Sequence, residues 1–419
     1  MKVAITGAQF KNTGAQSLLF SLVNEIYMQY PDAEIYYIPV DSFRDYNYRD
    51  YNFYFAYDDL GYRDFKNEKL KIRVREFLSC VKNRILLRRK AENTFSYSNV
   101  IRKIDVLIDV SGYALTSRFT NTTNYKLVRH INDARKNGAK VILMPQSFGP
   151  FEYKKNAQKM KKLIASSLGT ADIIFAREQE GYNLLRNQFC LDNVFLSCDS
   201  VLQAAPVIAS NIYSFGLESA IPSIKSKKNN VGIIPNQQTM KFGDEHEVLN
   251  VYKVIIDKLL ELNKNVYIFR HSEDLDLCKK IFGLCNGDSR VYLIEDHMDC
   301  FSYSRFVREF DFIIASRYHA IIHAYKQGIP AIILGWAIKY TDLAELMNQN
   351  DYIFDITSAS LDESKLLAGI AKMSDLYQEE STRILKKIAD AKSDSCYKRC
   401  WKTLSNSAQG EITNGRVKD

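Results

Sequence analysis

Short apolar runs of three to six residues alternate along this chain with longer stretches whose apolar positions recur three and four residues apart. That alternation is the pattern of parallel sheets built from strand–helix–strand units. The first half carries such runs at 3–6, 34–39, 106–110, 141–145, 173–176 and 194–198, and the second at 231–234, 266–269, 291–294, 310–315, 331–334 and 352–354. Residues 206–230 interrupt the rhythm: rich in Ser, Pro, Lys and Asn and lacking a sustained period, they read as a linker. The pattern predicts an α/β protein of two Rossmann-like, doubly wound domains, 1–205 and 231–360, facing across a cleft. A helical pattern at 361–404 is expected to pack back across the first domain, and the polar residues 405–419 to fray.

Between the second and third runs of the first domain, residues 43–98 depart from the pattern. Their first part is crowded with Tyr, Phe, Asp and Arg, which suits either a sugar contact or an insertion packed by its own rings. Their second part, 69–90, sets Leu70, Val74, Phe77, Leu78, Val81, Ile85 and Leu86 at helical spacing among nine Lys and Arg residues. Such a basic amphipathic helix commonly packs one face and solvates the other; the alternative is peripheral contact with an anionic membrane.

At 419 residues the chain exceeds what one hydrophobic core usually serves, in keeping with two domains. The net charge of +8 admits nucleic acid, acidic lipid or an anionic substrate as partner. No zinc-finger spacing or RNA-recognition signature accompanies it, so nucleic acid is not expected. No apolar run approaches the roughly 18 residues of a transmembrane helix. Residues 2–6 already read as a core strand with no cleavage site behind them, so a signal peptide is not expected and a cytoplasmic protein is. Eight cysteines lie scattered without a CxxC pair, and read as reduced structural thiols.

Nearly every apolar run ends in a candidate ligand group. Gly7 and Asn12-Thr13-Gly14 follow the first; Asp109 with Ser111-Gly112, Gln146-Ser147-Phe148-Gly149-Pro150, Arg177-Glu178 and Asp199-Ser200 follow later ones. In the second half come Asn236-Gln237, Arg270-His271 and the tetrad Ser316-Arg317-Tyr318-His319. All fall on the carboxyl side of their strands, where open α/β sheets bind ligands. The tetrad is the most informative, because an Arg at a strand end offers a fork matched to carboxylate or phosphate and the following helix amino terminus favours anions. A structural ion pair is the other reading of Arg317, and of Arg177 beside Glu178; Asp109 and Asp199 serve equally well as bases, hydroxyl ligands or turn caps.

Competing motifs fail on composition. Gly7 to Gly14 is neither GxGxxG nor a P-loop, for no Gly-Lys-Ser/Thr follows. His319 and His323 stand four apart, but HAIIH lacks the glutamate of HExxH, so no metal is expected and His323 reads as a core histidine.

The order Asn12-Thr13-Gly14, Asp109 with Ser111-Gly112, Gln146-x-x-Gly149-Pro150, Ala176-Arg177-Glu178, Asp199, Ser316-Arg317-x-His319 and Gly328-x-Pro330 resembles the polysaccharide pyruvyl transferase family. Ser111 stands where that family usually shows a second glycine, and Ala15 where it usually shows an aspartate. The resemblance implies a GT-B-like pair of domains and transfer of the pyruvyl group of phosphoenolpyruvate, without metal or other cofactor, onto two hydroxyls of a sugar as a ketal. It further implies a place in bacterial surface polysaccharide biosynthesis, with a soluble or lipid-linked sugar acceptor met at the inner face of the membrane. Arg317 and His319 map onto the family's donor-binding Arg and His, and Arg177 onto its first-domain Arg-Glu motif. Ser316, Asn12, Gly14, Gln146, Asp199 and Lys339 complete the expected substrate-binding set. His319 is the candidate general acid, since an imidazole's ordinary pKa near about 6.5 lets it hold or release a proton at cellular pH. His271 is the alternative acid, and Asp109 or Asp199 the candidate base. A nucleotide-sugar glycosyltransferase of the same fold and a non-catalytic carbohydrate-binding protein are the rival functions.

Overall fold

The computed structural model describes residues 1–10, 12–40, 50–60, 74, 77–78, 80–81, 93–119, 121–154, 156–215, 221–226, 228–285, 287–358 and 360–413, with residues 406–413 described by backbone alone. The basic stretch expected at 69–90 therefore lies outside the described residues except at 74, 77–78 and 80–81. The chain forms two compact units, one of Met1–Phe10, Ser17–Leu217 and Asp394–Asp419, the other of Lys11–Gln16 and Glu218–Ser393.

The described residues of the first unit form eight parallel strands: β1 (Lys2–Thr6), β2 (Glu34–Ile38), β3 (Tyr54–Tyr57), β4 (Thr94–Ser96), β5 (Val106–Asp109), β6 (Lys140–Gln146), β7 (Ile173–Ala176) and β8 (Val194–Leu196), in the order β4-β3-β2-β1-β5-β6-β7-β8. Six of these coincide with the apolar runs; β3 and β4 fall inside the stretch read as an aromatic and basic insertion. Strand β3, Tyr-Phe-Ala-Tyr, pairs with β2 in the register Tyr36↔Tyr54, and its rings join a cluster in which Tyr51, Phe53 and Phe55 pack around Phe10. The described rings of this stretch thus pack on one another and on Phe10 and Tyr37. The helices Asn121–Lys136 and Ala157–Leu168 turn Leu127, Val128, Ile131, Met160, Ile164 and Leu168 into a second cluster, with Ala4, Leu107, Val141 and Ile174 of the sheet. Residues 209–212, within the expected linker, form a short helix of the first unit, where Ile208 N and Asn211 Nδ2 both donate to Asn24 Oδ1 at 3.0 Å.

The described residues of the second unit form six parallel strands: β9 (Asn230–Ile234), β10 (Asn265–Phe269), β11 (Val291–Ile294), β12 (Phe312–Ala315), β13 (Ala331–Gly335) and β14 (Ile353–Asp355), in the order β11-β10-β9-β12-β13-β14. The helix Glu245–Glu261 shows how sequence fixes these elements. Asp244 caps it by accepting from His246 N at 2.9 Å and Glu247 N at 3.1 Å, and Val248, Tyr252, Ile255, Ile256 and Leu259 form one buried stripe. The long helix Glu363–Ser393 buries Leu366, Ile370 and Met373 in the same core, while the final helix, Cys396–Thr413, belongs to the first unit, where Cys396 N donates to Gln203 Oε1 at 2.7 Å.

Strand order reverses between β1 and β5 in the first sheet and between β9 and β12 in the second. At such switch points successive crossovers leave on opposite faces and open a crevice beyond the carboxyl ends. Gly7 and Asp109 flank the first of these points; Asn236 and Ser316-Arg317 flank the second.

Candidate active site

The second unit's switch point is fastened by Ser316. Its backbone N–H donates to Ile234 O at 3.0 Å, its carbonyl accepts from Asn236 Nδ2 at 2.9 Å and Tyr340 Oη at 2.8 Å, and its Oγ shares a hydrogen bond with Tyr252 Oη at 3.1 Å. Fully buried, Ser316 fixes the turn rather than facing a ligand. From this turn start Arg317 and the helix Tyr318–Lys326, whose Ala320, Ile321, Ile322, Ala324 and Tyr325 are wholly buried, so the direction of its amino terminus is set by core packing.

Arg317 is held by a carboxylate that sequence reasoning did not single out. Its Nε donates to Asp274 Oδ2 at 2.7 Å and its Nη2 to Asp274 Oδ1 at 2.5 Å, while Oδ1 also accepts from Gln237 N at 3.0 Å. Asp274 is completely buried and the Arg317 side chain is 23% exposed. Only the Arg–carboxylate geometry reveals this pairing, because 43 residues separate the two and Asp274 sits in an unremarkable polar loop.

Around this pair the second unit gathers most of its expected residues. Asn12 Oδ1 accepts from Gly14 N at 3.0 Å and Ala15 N at 3.2 Å, capping the helix Thr13–Gln29. Thr13 Oγ1 donates to His271 O at 2.6 Å, and Gln16 Oε1 accepts from Cys300 N at 2.8 Å. Gly14 lies directly against the His319 ring. The His271 ring stands edge-on to Tyr303 at 4.7 Å and 5.7 Å from the ring of His323. His271 is buried, with Nε2 lacking a hydrogen-bond partner among the described residues, and its pKa is pushed well below the ordinary imidazole value. Burial is the main cause, followed by His323, His319 and Arg317. A neutral His271 at physiological pH hydrogen-bonds a ligand more readily than it donates a proton as imidazolium. Lys339 lies beside the same turn, its Nζ 5.3 Å from the ring centres of Tyr318 and Trp336 and 5.4 Å from that of Tyr340, and Phe242 stacks on Trp336 at 4.8 Å.

The first unit's expected residues form two buried clusters. At its switch point Asp109 accepts from Ser111 Oγ at 2.6 Å and from Gln146 Nε2 at 2.7 Å. Burial raises its pKa to about 6, against the lowering effect of those hydrogen bonds. Gly7 closes this cluster at φ +96°, and a Cβ there would come within 2.3 Å of Ser111 Oγ and 2.5 Å of Asp109 Oδ1. Arg177 lies in the second cluster with its whole guanidinium engaged: Nε to Glu178 Oε1 at 3.0 Å, Nη1 to Asp199 Oδ2 at 3.0 Å and Nη2 to Ser147 Oγ at 2.7 Å. Ser147 Oγ donates in turn to Glu178 Oε1 at 2.7 Å, and Asp199 Oδ1 caps the helix Ser200–Gln203 by accepting from Val201 N at 2.9 Å. The geometry thus gives Arg177 and Asp199 partners within the fold.

Among the described residues no three or more His, Cys, Asp or Glu are grouped to hold a metal ion, and no helix is long and apolar enough to cross a membrane. The sequence profile of the polysaccharide pyruvyl transferase family matches residues 12–337, a span that holds Asp109, the second unit's switch point and the Ser316-Arg317-x-His319 turn. The chain belongs to the polysaccharide pyruvyl transferase family. Membership makes it a transferase and implies a sugar acceptor. A search of curated protein sequences returns no significant match.

Among solved structures the chain is similar to the UDP-GlcNAc 2-epimerase of Neisseria meningitidis bound to UDP-GlcNAc, at 12% identity and TM-score 0.51, over 92% of this chain and 94% of that one. It is also similar to a mutant of S. aureus TarM in complex with fondaparinux, alpha-GlcNAc-glycerol and UDP, at 10% identity and TM-score 0.55, over 97% and 99% of the two chains. A putative UDP-N-acetylglucosamine 2-epimerase from Listeria monocytogenes matches at 10% identity and TM-score 0.54, over 91% and 90%. These likenesses establish the pyruvyl transferase's fold as GT-B-like, with two parallel sheets flanked by helices and a helical carboxyl-terminal segment.

Proposed function

We propose that this transferase moves the pyruvyl group of phosphoenolpyruvate onto two hydroxyls of a sugar, forming a ketal during the building of a bacterial surface polysaccharide. The observation that carries this reading is the placement of Arg317 and His319 on one strand-to-helix turn, at the switch point of the second sheet, in a chain of the pyruvyl transferase family. Phosphoenolpyruvate carries a carboxylate and a phosphate on one small carbon frame, so its recognition calls for more than one cationic contact. Arg317, the amino terminus of the helix Tyr318–Lys326 and Lys339 supply them.

In this scheme His319 protonates the enol methylene, which becomes the methyl group, and leaves a cationic carbon. One sugar hydroxyl adds to that carbon and returns its proton to His319. The carbon–oxygen bond to phosphate then breaks, the second hydroxyl closes the ketal, and its proton leaves with inorganic phosphate. Burial and neighbouring cations hold His271 neutral, so its role here is to hydrogen-bond the donor's phosphate.

Thermal shift with phosphoenolpyruvate against nucleotide-sugars tests the reading. A ligand at about 100 times its dissociation constant stabilises the folded protein by about 2.7 kcal/mol. Stabilisation by phosphoenolpyruvate, with one phosphate released per ketal formed on a sugar acceptor, is expected; stabilisation by a nucleotide-sugar alone would make the protein a glycosyltransferase. The acceptor is read as lipid-linked and met at an anionic membrane surface. That part fails if the protein does not sediment with anionic vesicles at low salt.

A further inference from the structure

We infer that Asp274 is the positioning residue of the donor site, and that it leaves one defined edge of Arg317, the one formed by Nη1 and Nη2, to bind the anion. The inference rests on the reading of Arg317 as a donor contact. A guanidinium has two edges that can make paired hydrogen bonds to an oxyanion, one through Nε and Nη2, the other through Nη1 and Nη2. Asp274 occupies the first edge completely, with Oδ2 on Nε at 2.7 Å and Oδ1 on Nη2 at 2.5 Å. Among the described residues Nη1 meets no hydrogen-bond acceptor, and no Arg317 nitrogen is among the buried polar atoms left without a partner.

In the Arg177 cluster both partners are buried, Arg177 at 4% and Asp199 at 0% side-chain exposure. Here the carboxylate side chain is at 0% and the Arg317 side chain at 23%. Asp274 is itself aimed from two sides: Oδ1 accepts from Gln237 N at 3.0 Å, on the loop beyond β9, and its backbone carbonyl accepts from Cys278 N in the helix Leu275–Gly283. The fixed carboxylate therefore transmits the geometry of the β9 loop to the Arg317 fork. Two consequences follow for the donor. Its oxyanion approaches Arg317 end-on, and it meets a pair whose formal charges cancel, so affinity depends on directed hydrogen bonds more than on net attraction.

Asp274→Asn keeps an oxygen for Gln237 N but sets an amide N–H against Arg317 Nε, so the fork must turn away. The Michaelis constant for phosphoenolpyruvate is expected to rise about 10- to 10²-fold, with the acceptor's unchanged, the size expected for loss of a directed hydrogen bond to a charged group. A structural role alone would lower the active fraction, and hence turnover, while leaving the donor constant where it was; that outcome overturns the inference. Chemical rescue is a second test in which Asp274 stays intact. In Arg317→Ala, added guanidinium should restore activity by docking on Asp274 through one edge and presenting the other, whereas ammonium at equal concentration should not. Equal rescue by both ions overturns the inference. If phosphoenolpyruvate fails to stabilise the wild type, the functional reading has failed; if it stabilises wild type and Asp274→Asn equally, the positioning role has failed.

Discussion

A side chain on Gly14 would place its Cβ 2.3 Å from Cγ and 2.4 Å from Nδ1 of His319. The collision involves the root of the imidazole, held by the helix backbone, with His319 Cβ only 2.7 Å away, so no rotation of a flexible tip relieves it. Glycine at position 14 is therefore a condition for the position of His319. Gly14→Ala should lower kcat/KM for pyruvyl transfer by at least about 10²-fold. Adding His319→Gly should recover the thermal stability lost by Gly14→Ala without restoring activity. The two changes should be strongly non-additive, with a coupling of about 0.5–3 kcal/mol in a double-mutant cycle. Additive losses would mean that the ring and the loop do not touch in solution.

Turnover should depend on His319 more than donor binding does. His319→Gln retains a polar side chain but cannot transfer a proton, so turnover at saturating donor is expected to fall about 10²- to 10⁴-fold while the phosphoenolpyruvate dissociation constant changes far less. Phosphate release measured beside donor titration separates the two. Collapse of affinity with surviving turnover would make His319 a binding group only.

Asp109 gives a stability signature in pH. Its pKa is raised to about 6 from 3.8, so between those values the folded state holds a proton that the unfolded chain has lost. Its contribution is then fully present below about pH 4 and is lost as the pH rises through about 6. Asp109→Asn removes this dependence, and Gln146, whose Oε1 has no partner among the described residues, can flip its amide to accept from the new side chain. Relative to wild type, the variant should gain about 3 kcal/mol of unfolding free energy between pH 4 and pH 7, read from denaturant midpoints. Parallel profiles for the two proteins would place the carboxyl elsewhere than in this buried cluster.

Legibility in the sequence followed the range of the interactions. The apolar runs located twelve of the fourteen strands among the described residues, because a strand buried on both faces must be apolar over its length whatever its neighbours. Strands β3 and β4 escaped because Tyr54-Phe55-Ala56-Tyr57 and Thr94-Phe95-Ser96 are aromatic and polar, and only pairing with β2 and each other makes them strands. The groups proposed to bind the donor were legible as strand-end residues, since the switch point follows from topology. Asp274 was not, because a carboxylate becomes a clamp only when folding brings it to an arginine 43 positions away. The contacts of Arg177 with Glu178, Asp199 and Ser147 likewise became visible only in the folded distances.

Those distances make Arg177 a test of what a buried charge does for the first unit. Its side chain is 4% exposed, and its carboxylate partners Glu178 and Asp199 are 6% and 0% exposed. Arg177→Met fills similar space but strands two buried carboxylates, each already committed to holding its turn, Glu178 through Ser147 and Asp199 through the cap on Val201. Removing one member of such a buried group lowers stability by about 3–5 kcal/mol. Denaturant unfolding at neutral pH measures the loss. If Arg177→Met instead keeps its denaturation midpoint and loses only pyruvyl transfer, the guanidinium serves a substrate and not the fold.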